Sequence, residues 1–256
     1  MKLTQLISVA SLVLMASVAH AEKITIAAAA DLKFAMDEIA STFRKTHPGD
    51  VVEVIYGSSG KFRTQIEQGA PYDLYFSADI DFARALVKAG LAATDVKPYA
   101  VGRIVLWSVT QDATKMTLAA LTDPAITRIA IANPKHAPYG ARAEEAMRGA
   151  GLWQKVEPKL VYGENIAQTA QIVQTGNAQV GIIALSLAVN PELAKRGGYA
   201  LIPNNLHQPL EQGFIVTKRA ENNALARGFS DDMGSKTARA IMVRYGFALP
   251  GETTGK

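Results

Sequence analysis

The chain has 256 residues, 48% of them hydrophobic and 20% charged, a balance typical of a globular protein with a well-formed core. It contains no cysteine, which excludes disulfides, thiol chemistry, cysteine-ligated metals and lipid attachment through cysteine. The formal net charge of +4 comes from dispersed basic residues without interleaved aromatics, so we expect neither nucleic acid nor an acidic membrane as a partner.

The first 21 residues have the pattern of a secretory signal peptide. Lys2 provides the positive start, residues 6–18 are mostly apolar, and Ala19-His20-Ala21 forms a small-residue cleavage motif. The apolar run is too short for a membrane span, so we expect cleavage after Ala21 rather than an uncleaved anchor. The mature chain would then be a soluble exported protein in the periplasm, with a net charge of +3 after the loss of Lys2.

From residue 23 onward, short apolar runs alternate with helical patterns. Strands are predicted at 23–29, 51–56 and 72–79, and helices at 31–46, 60–69 and 80–90. Asp31 stands where a helix N-cap belongs, and Gly69 stands where a helix ends. This alternation predicts an α/β fold with a largely parallel sheet.

The pattern restarts after a Gly/Pro/Ala-rich stretch at 90–102. Further strands are predicted at 102–110, 128–132, 159–162, 179–183 and 212–218, with helices at 140–149, 166–175 and 235–247 and a loose tail at 249–256. We therefore predict two α/β lobes: residues 22–102 with 214–256 form lobe I, and residues 103–213 form lobe II. Two crossing strands would join the lobes and leave a ligand cleft between them.

Four strand-to-helix junctions are candidate walls of this cleft: 27–32, 56–61, 133–141 and 162–167. Backbone N–H groups at helix starts are unpaired within the helix and carry partial positive charge. They can hold an anion without any cationic side chain. The nucleotide-binding pattern G-x-x-x-x-G-K-[ST] is absent, and no cofactor is expected.

Three residues at these junctions are candidate anion ligands, and each has a simpler alternative. Ser59 could donate its hydroxyl and N–H, with Ser58 and Gly60 in support, or the serines could simply cap a helix. Tyr139 could donate to a ligand or be a half-buried aromatic residue. Ile166 could offer its N–H while its side chain packs in the core.

No catalytic set is visible in the sequence. Neither G-x-S-x-G nor H-E-x-x-H occurs, and His136 has no second metal ligand at a suitable spacing. Asp73 and Asp79 form only a weak acid–base pair, better explained as a loop brace and a helix start. A binding protein is thus favoured over an exported hydrolase. A sensory ligand domain would need an attached DNA-binding or membrane segment.

The stretches KITIAAAADLKFAMDEIA, YGSSGKFRTQIEQGAPYDLYFSAD, RIAIANPKHAPYGARAEEAM and RYGF resemble the periplasmic molybdate-binding proteins of ABC importers. The similarity extends over the whole mature chain in order. It implies a two-lobed periplasmic binding protein fold of type II that holds molybdate or tungstate as a tetrahedral oxyanion, without direct protein–metal bonds. It also implies a monomer that delivers the anion to a membrane permease and its ATPase.

Carried over from the family, the oxyanion ligands are Ser59, a donor on Tyr139 beside Gly140, and the N–H of Ile166 after Asn165. Two positions depart from the family pattern. Asp31, after Ala30, stands where relatives place serine or asparagine, and Ala184 stands where some relatives place a tyrosine donor. The phenol of Tyr139 would then supply the donor that Ala184 lacks.

The carboxylate of Asp31 is difficult to reconcile with a dianion, because two negative charges in contact repel strongly in a closed cleft. We expect the carboxylate to cap its own helix while the Asp31 N–H faces the ligand. The alternative is that the ligand carries a proton for Asp31 to accept, which would favour an anion such as hydrogen phosphate. Phosphate, sulfate and chromate stay open as alternative ligands.

Overall fold

The computed structural model describes residues 21–251. The predicted signal peptide, except Ala21, and the last five residues of the predicted tail lie outside this range. None of the helices in the described part combines the length and hydropathy that crossing a membrane requires.

The described residues form ten β-strands, which make two five-stranded sheets. In chain order the strands are β1 (Lys23–Ala29), β2 (Val51–Gly57), β3 (Leu74–Ser77), β4 (Lys97–Gly102), β5 (Ile104–Ser108), β6 (Ile129–Ala132), β7 (Leu160–Gly163), β8 (Val180–Ala184), β9 (Gly198–Leu201) and β10 (Leu210–Val216).

Ten α-helices lie between and after these strands in the same described range. They are α1 (Lys33–Thr46), α2 (Ser59–Glu67), α3 (Ile80–Lys88), α4 (Pro138–Gly149), α5 (Trp153–Val156), α6 (Ile166–Gln174), α7 (Leu185–Ala188), α8 (Pro191–Ala194), α9 (Ala224–Asp232) and α10 (Lys236–Arg244). A short 3-10 helix, Ala30–Leu32, precedes α1. Gly69 follows α2 with φ of +87°, as predicted for a helix stop.

Both sheets are mixed. The first has the order β2-β1-β3-β10-β4, with β1 parallel to β2 and β3, and β10 antiparallel to both its neighbours. The second has the order β7-β6-β8-β5-β9, with β6 parallel to β7 and β8, and β5 antiparallel to its neighbours. The α/β class is confirmed, whereas a largely parallel sheet describes only the βαβ part of each half.

The chain passes between the sheets twice. Arg103 links β4 to β5, and residues 202–209 link β9 to β10. The stretch at 90–102, expected to be a connection, contains strand β4, because pairing with β10 stabilises a sequence of low strand propensity. Strand β10 belongs to the first sheet from Leu210 onward, so the proposed boundary at 213/214 cuts through this strand, whereas the boundary at 102/103 falls between β4 and β5.

Each sheet has its own apolar core. Phe76 and Phe214 stack in the first, with ring centroids 4.5 Å apart and an interplanar angle of 8°. Trp107 is fully buried in the second. The second core also includes Ala29, Ala30 and Ala78 of the first half, so apolar packing continues across the contact between the halves.

Gly140 lets α4 begin directly against β6. A Cβ atom added at Gly140 would lie 2.0 Å from the carbonyl oxygen of Ala132, a contact with backbone that cannot move freely. Glycine is therefore needed here to fix where the first turn of α4 lies.

Gly140→Ala should lower the free energy of unfolding by about 1–3 kcal/mol, since the added methyl group forces α4 away from β6. Gly228 is the matched control, because a Cβ there meets nothing closer than Phe43 at 3.8 Å and the residue lies inside α9. Gly228→Ala should be neutral or stabilising. Urea denaturation of both variants checks this, and equal stabilities would contradict it.

Candidate functional site

A small cavity lies where the two sheets face each other. Its lining residues follow the carboxyl ends of strands or begin helices, and they come from both halves of the molecule: Ala29, Ala30, Asp31, Gly57, Ser58, Ser59, Ala78, Ala137, Pro138, Tyr139, Asn165 and Ile166. The cavity is small: the centre of a water-sized sphere can move within only about 10 Å³. The halves are therefore in contact around a tight space.

The structure brings most of the predicted site residues to this cavity. Its lining includes all four predicted ligand residues and three of the supporting ones: Asp31, Ser59, Tyr139, Ile166, Ala30, Ser58 and Asn165. Gly60, Gly140 and Ala184 are not part of the lining. Ala184 is fully buried at the end of β8, where it pairs with Ile104.

Ser59 is the first residue of α2 and is 1% exposed. Its Oγ accepts a hydrogen bond from the N–H of Ala78 at 3.0 Å, and its carbonyl accepts one from the Tyr75 hydroxyl at 2.7 Å. These contacts fix the side chain. They leave the hydroxyl hydrogen without an acceptor among residues 21–251, so it can be donated into the cavity.

Ser58 and Gly60 contact the opposite half directly. Ser58 Oγ donates to the carbonyl of His136 at 2.5 Å and lies 2.9 Å from His136 Nδ1. The Gly60 N–H donates to the same carbonyl at 2.9 Å. Capping does not account for these serines, since neither hydroxyl caps α2. The Ser58 hydroxyl and the Gly60 N–H thus join the two halves and are not free for a ligand.

A charged cluster lies beside this contact. Lys61 pairs with Glu164, and His136 Nε2 lies 3.6 Å from the same carboxylate. Burial lowers the pKa of His136, while Glu164 opposes that shift. No group of three His, Asp or Glu residues in the described range could hold a metal ion.

Two helix starts of the second half reach the cavity. Tyr139 is the second residue of α4, after Pro138, and Ile166 is the first residue of α6. Asn165 caps α6 by accepting from the N–H of Gln168 at 3.0 Å. The side chain of Ile166 is buried in the core, so its N–H is the group that can serve a ligand.

The expected capping role of Asp31 is wrong. Asp31 lies inside the 3-10 helix, and no side chain caps either that helix or α1. The carboxylate is 1% exposed, and its Oδ2 accepts from the Tyr139 hydroxyl at 2.9 Å and from Gln212 Nε2 at 2.8 Å. Its Oδ1 has no hydrogen-bond partner among the described residues.

The phenol of Tyr139 is therefore already engaged. It donates to Asp31 and accepts from Gln212 Nε2 at 3.1 Å, in space left open by Gly102, where a Cβ atom would lie 2.3 Å from the phenol oxygen. Burial and the neighbouring carboxylate raise the pKa of Tyr139 well above its usual value, so the phenol stays a donor.

Gln212 was not identified from the sequence. It is fully buried on β10, at a register shift of the pairing with β4. The available signal was the amide side chain of Gln212 within the strand sequence LEQGFIV, because a buried polar side chain requires a partner. The partner lies 181 positions away and could not be named from the sequence.

Burial raises the pKa of Asp31 to about 6. The hydrogen bonds from Gln212 and Tyr139 oppose the rise, as do the nearby N–H groups of Asp31 and Leu32. Desolvation outweighs these favourable contacts because it penalises the charged form of a fully buried carboxyl group.

Comparison with known proteins agrees with this arrangement. Residues 24–248 match the family model of the bacterial extracellular solute-binding proteins. The chain is 35% identical to the molybdate-binding protein ModA of Azotobacter vinelandii, covering 92% of this chain and 94% of that protein. It is 36% identical to ModA of Rhodobacter capsulatus, with coverages of 90% and 89%.

A solved structure, the periplasmic molybdate-binding protein of Azotobacter vinelandii, superposes with a TM-score of 0.83 at 29% identity. The superposition covers 89% of this chain and 99% of that one. This chain therefore shares its overall fold with a protein of known structure.

Asp31→Asn should stabilise the unliganded protein in a pH-dependent way. A carboxyl whose folded-state pKa is raised contributes stability below its unfolded pKa, and that stability is lost as pH rises through about 6. The variant should match wild type near pH 4 and exceed it at about pH 8, by on the order of 3 kcal/mol. Urea denaturation at both pH values measures the difference.

Asp81→Asn is the control, because Asp81 is an exposed carboxylate at the start of α3. It should show no such pH-dependent gain. A gain from Asp31→Asn that is the same at both pH values would contradict the prediction.

Proposed function

Since the chain belongs to the family of bacterial extracellular solute-binding proteins, we propose that it captures molybdate in the cavity between its two sheets. It would then deliver the anion to the permease of an ABC importer. Tungstate, which has the same charge and shape, is expected to bind as well. In this proposal the protein is a periplasmic monomer and performs no catalysis.

The observation that carries the proposal is the composition of the cavity wall. None of the described residues lining it is Lys, Arg or His. The wall instead brings together the starts of α2, α4 and α6 and the hydroxyl of Ser59. Converging N–H groups and a fixed hydroxyl suit a compact oxyanion with acceptors on all sides.

Hydrogen bonds can meet the cost of removing water from such an anion. A hydrogen bond to a charged acceptor contributes roughly 1.5–3 kcal/mol, so several fixed donors together give tight binding. The donors belong to both halves and meet only when the halves touch. The anion therefore binds the closed form best and shifts the population toward it.

The choice of molybdate rests on the relatives. The proteins of Azotobacter vinelandii and Rhodobacter capsulatus are named for molybdate, and each is covered over about nine-tenths of its length. Ser59, Tyr139 and Ile166, the positions that the family resemblance assigns to ligands, all line the cavity. This supports molybdate over phosphate, sulfate or chromate.

Ser59→Ala should weaken molybdate binding by roughly 1–3 kcal/mol, or about 5- to 150-fold in Kd, because it removes a donor that the protein holds in place. Isothermal titration calorimetry with molybdate, tungstate, sulfate and phosphate measures the effect and ranks the anions.

Ser230→Ala is the matched control, since Ser230 is also buried but bonds to Lys97 far from the cavity. It should bind molybdate like wild type. An unchanged Kd in Ser59→Ala would remove this hydroxyl from the site, and tightest binding of phosphate or sulfate would overturn the molybdate assignment.

A further inference from the structure

We propose that Asp31 shares a proton with the bound oxyanion, so that each anion enters the cavity together with one proton taken from water. The inference rests on the proposed function, because it concerns the same cavity. It adds a specificity determinant at a position where the family resemblance implies an uncharged ligand residue.

The first observation is the unpaired carboxylate oxygen. Asp31 lines the cavity and is 1% exposed, while its Oδ1 has no partner among the described residues. A buried polar atom without a partner is rare and costly in a folded protein. Since Oδ2 is taken by Tyr139 and Gln212, Oδ1 is the oxygen that remains to meet an anion.

The second observation is that the side chain cannot easily turn away. Two donors hold Oδ2, and the backbone is held as well, because Ser186 Oγ donates to the Asp31 carbonyl at 2.8 Å. The Asp31 side chain does not cap α1, a position that would face solvent and take the charge out of the cavity. An anion in this cavity must therefore coexist with the carboxyl group.

The surroundings offer no cation to neutralise that carboxyl. The titratable groups that face Asp31 are the phenols of Tyr139 on α4 and Tyr99 on β4. Helices α6 and α7, which pack against the Asp31 segment, carry no titratable side chain. Helix α1 and strand β2 pack there as well, and Lys33 of α1 pairs with Asp37, to which Tyr56 of β2 also donates. Beside the contact of Ser58 with His136, Lys61 pairs with Glu164, and burial lowers the pKa of His136.

A proton resolves the conflict of charges. Burial has already raised the pKa of Asp31 to about 6. A dianion in contact raises it further, because a like charge disfavours the ionised form. Once protonated on Oδ1, the group becomes an O–H donor to an oxygen of the anion, so repulsion is replaced by a hydrogen bond.

The solvent supplies the proton in this reaction. The carboxylate, the dianion and one proton from water give a carboxylic acid that is hydrogen-bonded to the dianion. No covalent bond of the ligand changes. A proton placed on the anion and donated to Oδ1 gives the same stoichiometry. Affinity must then fall as pH rises, by about tenfold per pH unit wherever free Asp31 is ionised and bound Asp31 is protonated.

The test is calorimetric titration of the full mature chain with sodium molybdate at about pH 7.5, in buffers with different ionisation enthalpies. The buffer dependence of the binding enthalpy gives the number of protons taken up. We expect about one for wild type, near zero for Asp31→Asn, and about one for the exposed-carboxylate control Asp81→Asn. The wild-type Kd should rise about tenfold from pH 7 to pH 8.

The outcomes separate this inference from the proposed function. Tight binding of molybdate without proton uptake, and with a Kd that does not change with pH, would overturn the role of Asp31 and leave molybdate capture intact. Failure of wild type to bind molybdate at any pH would overturn both. The wild-type measurements alone decide the question if Asp31→Asn does not fold.

Discussion

An anion enclosed between two sheets loses its hydration shell, and the protein must replace that shell with fixed dipoles. For this purpose the cavity offers the starts of three helices and one held hydroxyl, Ser59, and its described lining contains no cation. The features that form the cavity follow from this constraint. The sheets must face each other, the helices must begin at the right depth, and Gly140 must allow α4 to approach β6.

Because the two halves are connected along one side only, a ligand between them can stabilise the closed arrangement. The chain crosses from one sheet to the other at Arg103 and at residues 202–209, so the halves are tethered along one side. Across the cavity they meet through Ser58 and Gly60 against the carbonyl of His136. Apolar packing of Ala29, Ala30 and Ala78 against residues of the second half adds to these polar contacts. An anion that bonds to both halves would stabilise the closed form further.

Sequence reasoning succeeded where the signal was local. The helix predicted from Gly60, which begins one residue earlier at Ser59, the start at Ile166, the stop at Gly69 and the βαβ alternation all depend on nearby residues. It failed where residues far apart in the sequence determine the contacts. Asp31 has the chemistry of an N-cap, yet Tyr139 and Gln212 hold it. Strand β4 forms because β10 pairs with it, and no local sequence pattern predicts that pairing.

The central claim is that the cavity between the sheets encloses an oxyanion with uncharged donors. The most direct test is a crystal structure of the molybdate complex, in which anomalous scattering locates the molybdenum. We predict one molybdenum site inside the cavity, with oxygens about 2.7–3.2 Å from Ser59 Oγ and from the N–H of Ile166. A molybdenum site elsewhere on the protein, or oxygens held by lysine or arginine side chains, would contradict the account.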